Sequence, residues 1–269
     1  MSESVPDIAH TRDCALTFFQ EYTKNHKTEL KGKVVIDLST GSGYIAHLFE
    51  EAGAEVHLFD LFPEQNKFGK AVCQFIDLQK SFPLPETTAD LVICSETIEH
   101  LPNQHHLFAE TVRILKPDGI FILTTPNSSS LRSRLAQFMM ESEHYSTPAP
   151  NELNAFVSWD GKEGGYFSKL FISGVLRLRT LAAINHLQLK TIHPSKYSST
   201  SKWMLFLYPL LYFFARKAYR KQVKSDPKNE ATYRSIFEIN ISMKVLLSKH
   251  LIMEFCKKST VTLSLSKGD

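Results

Sequence analysis

Hydrophobic and polar positions follow two different patterns along the chain. Short continuous apolar runs, typical of strands buried on both faces, alternate with stretches in which apolar residues recur every three or four positions, as in amphipathic helices. The predicted strands are VVIDL, EVHLFD, CQFID, ADLVICS, GIFILTT, HLQLKTI and LIMEFCK. The predicted helices cover residues 8–29, 44–52, 103–115, 131–140, 173–186 and 236–248, with a short helix after Pro63. This alternation indicates βαβ units and a mostly parallel sheet.

The length of the chain limits its organisation. At 269 residues and 43% hydrophobic content, we expect one substantial α/β core with decorations. The predicted units are a leading helix (1–30), a core (31–193), an apolar and basic helical insertion (194–235), and a last helix and strand that complete the core (236–269). A loop or lid is predicted over 141–170, where Pro, Asn, Ser and Gly are frequent.

The insertion contains the most unusual composition. Its apolar run, WMLFLYPLLYFFA, is shorter than the roughly 20 residues of a spanning helix and is interrupted by Pro209. Basic residues follow the run as far as position 221. Two interpretations remain open: a helix that roofs the substrate pocket, or an interfacial segment, 203–221, that contacts a membrane surface.

The net charge and the cysteine content argue against a nucleic-acid-binding protein, a zinc protein and a disulfide-stabilised protein. The net charge of +3 is too small and too dispersed to predict a nucleic-acid partner. The four cysteines form no CxxC pair, so neither a zinc site nor a disulfide framework is predicted. Because the N-terminus also lacks a signal-peptide pattern, we expect a cytoplasmic protein, peripheral to a membrane if the insertion binds lipid.

A glycine turn with an acidic residue before it follows the first predicted strand. Gly41 and Gly43 allow the backbone to turn tightly beside the start of the next helix, as in many nucleotide sites. Asp37, at the end of the strand, would repel a pyrophosphate but could bind a cationic ligand. The turn therefore favours a nucleotide-like ligand that carries a positive charge and no phosphates.

Two more acids end the next two strands. Asp60 could accept hydrogen bonds from both hydroxyls of a ribose, and Asp77 could accept from an adenine amine beside Leu78. Each alone could be a solvated residue at a strand end. Together with Asp37 they form a stronger pattern, because ligands of open α/β sheets bind at the carboxyl edge.

The ordered motifs VVIDLSTGSGY, VHLFD, FIDLQ, ADLVICSETIEHLPN and RILKPDGIFILTTPN resemble those of class I S-adenosylmethionine-dependent methyltransferases. The resembling branch includes ubiquinone-pathway O-methyltransferases and bacterial small-molecule and cell-envelope enzymes. It implies a Rossmann-like fold with a seven-stranded, mostly parallel sheet, helices on both faces and an antiparallel last strand, here with the hydrophobic helical insertion added. It also implies S-adenosylmethionine as the cofactor.

The resemblance implies roles for individual positions. Asp37, Gly41 and Gly43 would lie against the methionine and ribose parts of the cofactor, Asp60 at the ribose and Asp77 at the adenine. The full set of cofactor positions is Asp37, Ser39, Gly41, Gly43, Asp60, Leu61, Asp77, Leu78, Ser95 and Glu96. Ser39 departs from the pattern, since the family commonly has glycine there. A serine fits if the local backbone keeps ordinary angles; otherwise its side chain would crowd the cofactor.

The segment after the fourth strand supports two interpretations. Glu96, Glu99 and His100 are similar to a set with which some members of the family bind a divalent ion, here Mg²⁺. The same residues also occur in metal-independent relatives, and we favour that interpretation. His100 is the candidate general base, because imidazole titrates near neutrality.

We therefore expect methyl transfer from S-adenosylmethionine, by an SN2 displacement, to an oxygen of a small-molecule, lipid-linked or glycan acceptor. Asn127, after the fifth strand, is expected to border the acceptor site. Two alternatives remain: a catalytically silent S-adenosylmethionine-binding subunit, and an NAD-dependent oxidoreductase, which would have no use for Asp37.

Overall fold

The computed structural model describes residues 13–142, 149–158 and 165–258, and this part of the chain contains a seven-stranded sheet. The strands of that sheet are β1 (Val34–Asp37), β2 (Glu55–Asp60), β3 (Gln74–Phe75), β4 (Ala89–Ser95), β5 (Leu115–Pro126), β8 (Leu187–His193) and β9 (His250–Lys257), numbered together with a separate pair, β6 (Phe156–Ser158) and β7 (Gly165–Phe167). Their order across the sheet is β3-β2-β1-β4-β5-β9-β8.

Strand direction in the sheet confirms the predicted fold class. The strands β1 to β5 are parallel to one another, and β9 is antiparallel to both of its neighbours, β5 and β8. The chain runs outward from β1 through β2 to β3, then returns to place β4 on the other side of β1. This reversal next to β1 is the topological switch point at which Rossmann-like sheets bind ligands.

Helices cover both faces of the sheet, as predicted. The described helices are α1 (Asp13–Asn25), α2 (Lys27–Leu30), α3 (Tyr44–Glu51), α4 (Gln104–Ile114), α5 (Leu131–Met140), α6 (Val175–Ile184), α7 (Ser199–Trp203), α8 (Tyr208–Ser225), α9 (Glu230–Ile241) and α10 (Met243–Leu247). Alternate residues of β1 serve the two layers: Val35 packs with α1 and α3, and Ile36 packs with α4 and α6.

Three predicted elements differ from the structure in extent. The third strand is reduced to two exposed residues, because it lies at the edge and pairs only with β2. The single helix expected over 236–248 is two helices, since Ser242 between α9 and α10 is extended (φ −65°, ψ 126°). The leading helix ends at Asn25, and its predicted first residues lie outside the described part of the chain.

The region predicted as a loop or lid, 141–170, contains the antiparallel pair β6 and β7. Residues 143–148 and 159–164 of that region lie outside the described residues. After β7, the segment up to α6 packs on the turn that follows β4: Phe171 N donates to Glu99 O at 3.0 Å, and Gln104 Nε2 donates to the carbonyl oxygens of Ile98 and Phe171. This packing positions β7 over the carboxyl edge of the sheet.

The insertion is helical through most of its length. A 3-10 turn, Met204–Leu207, joins α7 to α8, and Pro209 lies in the first turn of α8, where its missing N–H costs no helical hydrogen bond. Within the described residues, no helix combines the length and the apolar content that crossing a bilayer requires.

Candidate active site

A cavity of about 310 Å³ opens at the carboxyl ends of β1, β2 and β4. Its lining includes eight of the ten positions that the sequence assigned to the cofactor: Ser39, Gly41, Asp60, Leu61, Asp77, Leu78, Ser95 and Glu96. His100 lines the same cavity. The structure thus brings the base candidate and most of the cofactor candidates to one place, whereas Asp37 and Gly43 are not among the lining residues.

Asp60 is held at the cavity by backbone amides. Gly41 N donates to one carboxylate oxygen at 2.8 Å, and Phe62 N donates to the other at 2.8 Å. Each oxygen of an ionised carboxylate has about two acceptor positions, so both keep a free one. The glycine turn and the end of β2 therefore fix an acid that can still accept two hydrogen bonds from a ligand.

Asp37 is buried at the end of β1. Ser39 N donates to its carboxylate at 3.2 Å, and burial raises the pKa of Asp37 to about 7. A carboxyl group with so high a pKa ionises more readily when a cation lies nearby. This property suits an acid beneath the site of a cationic ligand.

Gly43 has a packing role that the sequence did not predict. Its φ of +84° is rare for residues with a side chain, and a Cβ built there would collide with Asn66 Oδ1 and lie 2.8 Å from Gly69 N. Lys67 N and Phe68 N both donate to Ser42 O. Gly43 thus lets the 66–69 loop close over the glycine turn.

The hydroxyl of Ser39, a residue of the cavity lining, is engaged by the neighbouring strand. Ser39 Oγ accepts from Ser95 N at 2.9 Å and donates to Ser95 O at 3.3 Å. These two bonds join the carboxyl ends of β1 and β4, where the strands separate. The serine is therefore a clamp between two strands whose residues line the cavity.

Glu96 carries both backbone strain and an unsatisfied oxygen. Its φ is +52°, in the left-handed region that costs a non-glycine residue of order 1 kcal/mol. Oε1 accepts from Thr124 Oγ1 at 3.0 Å and from His250 Nδ1 at 3.1 Å. Oε2 is buried and has no hydrogen-bond partner within the described ranges. Such an oxygen is ready to accept from a ligand donor.

Asp77 and its neighbours form the opposite side of the cavity. Gln79 N donates to Asp77 Oδ1 at 3.0 Å, and Lys80 Nζ lies 3.4 Å from Oδ2. Ile76 and Leu78, on either side of the acid, line the cavity with apolar surface. A flat aromatic ring would find both apolar contacts and a hydrogen-bond acceptor here.

The candidate metal ligands are partly engaged with the protein, since Glu96 Oε2 and Glu99 Oε1 are buried without a hydrogen-bond partner among the described residues. Glu99 is buried, its Oε2 accepts from Thr125 Oγ1 at 2.9 Å, and Lys169 Nζ lies 3.8 Å from Oε1. Burial, with a smaller contribution from Glu96, raises the pKa of Glu99. Among the described residues no cluster of three or more His, Cys, Asp or Glu side chains has the arrangement of a metal site. The structure gives Mg²⁺ no support.

His100 has one ring nitrogen fixed by a hydrogen bond. Its Nδ1 lies 2.6 Å from the carbonyl oxygen of Phe167. Because a carbonyl only accepts, Nδ1 carries the proton and the neutral ring has an unprotonated Nε2. Burial lowers the pKa of His100, with a smaller effect from Lys169 in the same direction. Backbone hydrogen bonds with Phe167 and Ser168 act on the pKa of His100 in the opposite direction. A neutral ring with Nε2 unprotonated is the form that a general base needs.

Several lining residues were not found from the sequence. Tyr166 lines the cavity from β7, with its ring 5.3 Å from that of His100 and 5.9 Å from that of Phe62. A single tyrosine in a glycine-containing segment gave no signal, because the short β6–β7 ladder was not predicted. Gln65, Gln79 and Thr97 also line the cavity.

Asn127 lies elsewhere than expected. Its amide Nδ2 donates to the carbonyls of Val245 and Ser248, and its Oδ1 accepts from Ser129 N. It is buried and is not part of the cavity lining. Asn127 therefore ties the end of β5 to the segment before β9, and the expectation that it borders the acceptor site was wrong.

The residues of the cavity fit S-adenosylmethionine. Asp60 has two free acceptor positions for the ribose hydroxyls, Asp77 has an acceptor between apolar side chains for the adenine, and the buried Glu96 Oε2 lacks a donor that an amino group would supply. The cavity volume lies at the lower end of the range usual for ligand sites, roughly 300–1,000 Å³.

Comparisons with known proteins agree with this site. The model of a family described as "Methyltransferase domain" matches residues 8–158, more than half of the chain. A ubiquinone biosynthesis O-methyltransferase of Photobacterium profundum is 26% identical over 118 residues, which cover 40% of this chain and 50% of that protein. A protein of Mycolicibacterium smegmatis, named as a probable S-adenosylmethionine-dependent methyltransferase, is 30% identical over 100 residues, 36% of this chain and 39% of that protein. The chain spans half or less of the length of these relatives.

Solved structures show the same fold. An S-adenosylmethionine-dependent methyltransferase of Archaeoglobus fulgidus superposes with a TM-score of 0.51 at 16% identity, covering 90% of this chain and 94% of that one. One from Mesorhizobium loti gives 0.50 at 13%, covering 88% and 96%. With the strand order, the cavity at the switch point and the match of the family model, the chain belongs to the class I S-adenosylmethionine-dependent methyltransferases.

Proposed function

We propose that this protein transfers the methyl group of S-adenosylmethionine to an oxygen of its acceptor, with His100 as the general base. The observation that carries the proposal is the position of His100, which lines the same cavity as Asp60, Asp77 and Glu96 and whose Nδ1 is held by the carbonyl oxygen of Phe167. When bound, S-adenosylmethionine supplies a methyl group on a positively charged sulfur, activated for displacement.

The chain's own residues hold and orient the ligands. Asp60 would hold the ribose hydroxyls, Asp77 the adenine amine, and Glu96 the amino group of the methionine part. Asp37, beneath the glycine turn, would favour the positive charge. Holding both reactants in place removes most of the entropic cost of their meeting, which is the main source of acceleration in such a transfer.

His100 would remove the proton of the acceptor hydroxyl. The bond from Nδ1 to Phe167 fixes the ring and keeps Nε2 as the acceptor. Burial favours the neutral ring, so the base is ready at neutral pH. Because no cluster of three or more His, Cys, Asp or Glu side chains among the described residues has the arrangement of a metal site, the proposal assigns the proton transfer to His100 without a divalent ion.

Two observations support an apolar acceptor that is methylated on oxygen: the side chains that line the cavity, and the similarity to O-methyltransferases. The rings of Phe62 and Tyr166 border the cavity on the side of His100, which favours an acceptor with an apolar or aromatic body. The similarity to ubiquinone biosynthesis O-methyltransferases supports oxygen as the methylated atom. A lipid-linked or quinone-like small molecule is the acceptor most consistent with the aromatic lining and with these relatives. An envelope glycan is the second candidate.

The test is an incubation of bacterial extract and membranes with isotopically labelled S-adenosylmethionine and the purified protein, with and without EDTA. The products are separated into lipid, glycan, protein and small-molecule fractions. The proposal predicts label in the lipid or small-molecule fraction, no loss with EDTA, and an initial rate of labelling that is at least about a hundredfold lower with the His100→Ala variant. Binding of S-adenosylmethionine without label in any fraction would instead indicate a catalytically silent subunit.

A further inference from the structure

We propose that the outer face of α8 binds the surface of an anionic lipid bilayer. This outer face consists of Leu210, Phe213, Phe214, Lys217, Lys221 and Lys224. It goes beyond the proposed methyl transfer and does not depend on it, because it concerns a surface that lies outside the cavity.

The helix α8 has an inner and an outer face. On the inner face, the rings of Tyr212 and Tyr219 pack against Phe237 of α9, with centroids 5.6 Å and 5.4 Å apart. At about 100° per residue, the six residues of the outer face lie within about 100° of arc. Its three apolar residues are each more than half exposed, from 56% to 61%. Within the described residues, nothing covers this face.

Apolar surface continues ahead of the helix. Trp203 and Phe206 are 73% and 63% exposed, with their rings in contact at 5.3 Å between centroids. Indole and phenyl rings favour the boundary between lipid headgroups and acyl chains, and a helix lying in that plane needs an apolar face of this kind.

The charge of the segment complements an anionic surface. Residues 199–225 contain six Lys and Arg and no Asp or Glu, so the segment carries more positive charge than the +3 of the whole chain. Among the part of the chain that the structure describes, Lys217, Lys221 and Lys224 have no acidic partner. Each such cation near an anionic membrane contributes binding free energy, and the contributions add.

The outer face of α8 combines lysines with phenylalanines, and this combination favours a bilayer over a protein as the partner. Lysine is depleted from the cores of protein interfaces, whereas here three lysines continue the same stripe as the phenylalanines. At a bilayer this arrangement is favourable, because the lysine stems follow the apolar boundary while the ammonium groups reach the headgroup phosphates.

The test is co-sedimentation of the full chain, without cofactor, with vesicles of phosphatidylglycerol and phosphatidylcholine, and with vesicles of phosphatidylcholine alone. We expect binding to the anionic vesicles that weakens as salt increases, and little binding to neutral ones. Phe213→Ser with Phe214→Ser should weaken binding roughly tenfold or more, as should Lys217→Ser with Lys221→Ser.

Matched controls use residues of the same type on other surfaces. Val72→Ser with Ile184→Ser replaces exposed apolar side chains elsewhere, and Lys24→Ser with Lys27→Ser replaces exposed lysines of α1 and α2. Both control variants should bind as the unchanged protein does. All variants are first shown by thermal denaturation to be folded.

Three results would overturn the proposal. One is equal binding of the α8 variants and the unchanged protein to anionic vesicles. Another is equal binding to neutral and anionic vesicles. The third is a dimer in solution, measured by light scattering, that becomes a monomer with Phe213→Ser and Phe214→Ser, since the face would then bind a second copy of the chain. None of these results bears on methyl transfer.

Discussion

His100 Nδ1 lies 2.6 Å from the carbonyl oxygen of Phe167, and this hydrogen bond joins the turn after β4 to the end of β7. Two consequences follow from it. The base candidate is held in the tautomer with Nε2 unprotonated, and the segment that carries Tyr166 is held against the cavity. The β6–β7 pair thus helps to build the candidate active site.

Replacing His100 should therefore affect the chemical step more than cofactor binding. For His100→Ala we expect kcat to fall by roughly 10²–10⁴, the range for loss of a general base, with the Kd for S-adenosylmethionine changed only slightly. Single-turnover transfer of a labelled methyl group and calorimetry measure the two quantities. A large loss of cofactor affinity with unchanged kcat would show that His100 binds rather than catalyses.

The pH dependence of activity has a definite sign. Burial lowers the pKa of His100, so the inflection in kcat/KM should lie below the ordinary histidine value of about 6.5. Activity should rise to a plateau as pH increases through that inflection, because the protonated ring cannot accept a proton. An inflection above pH 7, or a profile that is the same in His100→Gln, would contradict this role.

Asp37 should link unfolding to pH and to the cofactor. Its pKa in the unliganded fold, about 7, is above its unfolded value of about 3.8, so its contribution to stability is full below that lower value and is lost as pH rises to about 7. Asp37→Asn should leave the free energy of unfolding at pH 4 nearly unchanged and raise it at pH 8 by roughly 1–3 kcal/mol. Urea unfolding at the two pH values measures this.

The same variant should bind the cofactor at least about tenfold more weakly, since it lacks the charge that favours a cation. Stability and affinity would then change in opposite directions. A variant that is less stable at pH 8 would show that the carboxylate supports the fold instead.

Ser39 offers a test of the strand clamp. Ser39→Gly removes both hydrogen bonds to Ser95 and should lower the free energy of unfolding by about 1–2 kcal/mol. Affinity for S-adenosylmethionine should change less than threefold, because the hydroxyl faces β4. Chemical denaturation and calorimetry measure the two effects. If the glycine variant instead bound the cofactor much more tightly, the serine would be crowding the site after all.

Gly43 and Gly53 have similar backbone angles, so a comparison of their alanine variants separates the cost of backbone strain from the cost of a steric collision. Gly43 and Gly53 have φ of +84° and +88°, but only at Gly43 would a Cβ collide, with Asn66, whereas at Gly53 the nearest atom is 3.5 Å away. Gly43→Ala should therefore cost more stability than Gly53→Ala by about 1–3 kcal/mol, and should also weaken cofactor binding. Equal losses in thermal unfolding and unchanged affinity would remove the packing role.

Much of the fold could be predicted because its signals are local. The buried strands β1, β4 and β5 are continuous apolar runs, and Asp37, Asp60 and Asp77 are placed by the strand ends that they follow. Asp60 and Asp77 follow from that register, since parallel strands present their carboxyl ends at one edge. The other cavity positions, such as Ser95 and Glu96, follow from the resemblance of the motifs to the methyltransferase family.

The rest depends on contacts between residues that are far apart in the sequence. Glu96 receives a hydrogen bond from His250, 154 positions away, and His100 is fixed by Phe167, 67 positions away. Phe156–Ser158 and Gly165–Phe167 are too short for a strand pattern to be recognised. Likewise, the clamp role of Ser39 requires knowledge of where Ser95 lies.

The most direct test of the central claim is an isothermal titration of the purified chain with S-adenosylmethionine, and in parallel with NAD. The structure predicts one S-adenosylmethionine site per chain, no binding of NAD, and an affinity at least about tenfold weaker in Asp60→Ala, which loses the acceptor for the ribose hydroxyls. Binding of NAD instead, or S-adenosylmethionine binding that Asp60→Ala leaves unchanged, would contradict the assignment of this cavity.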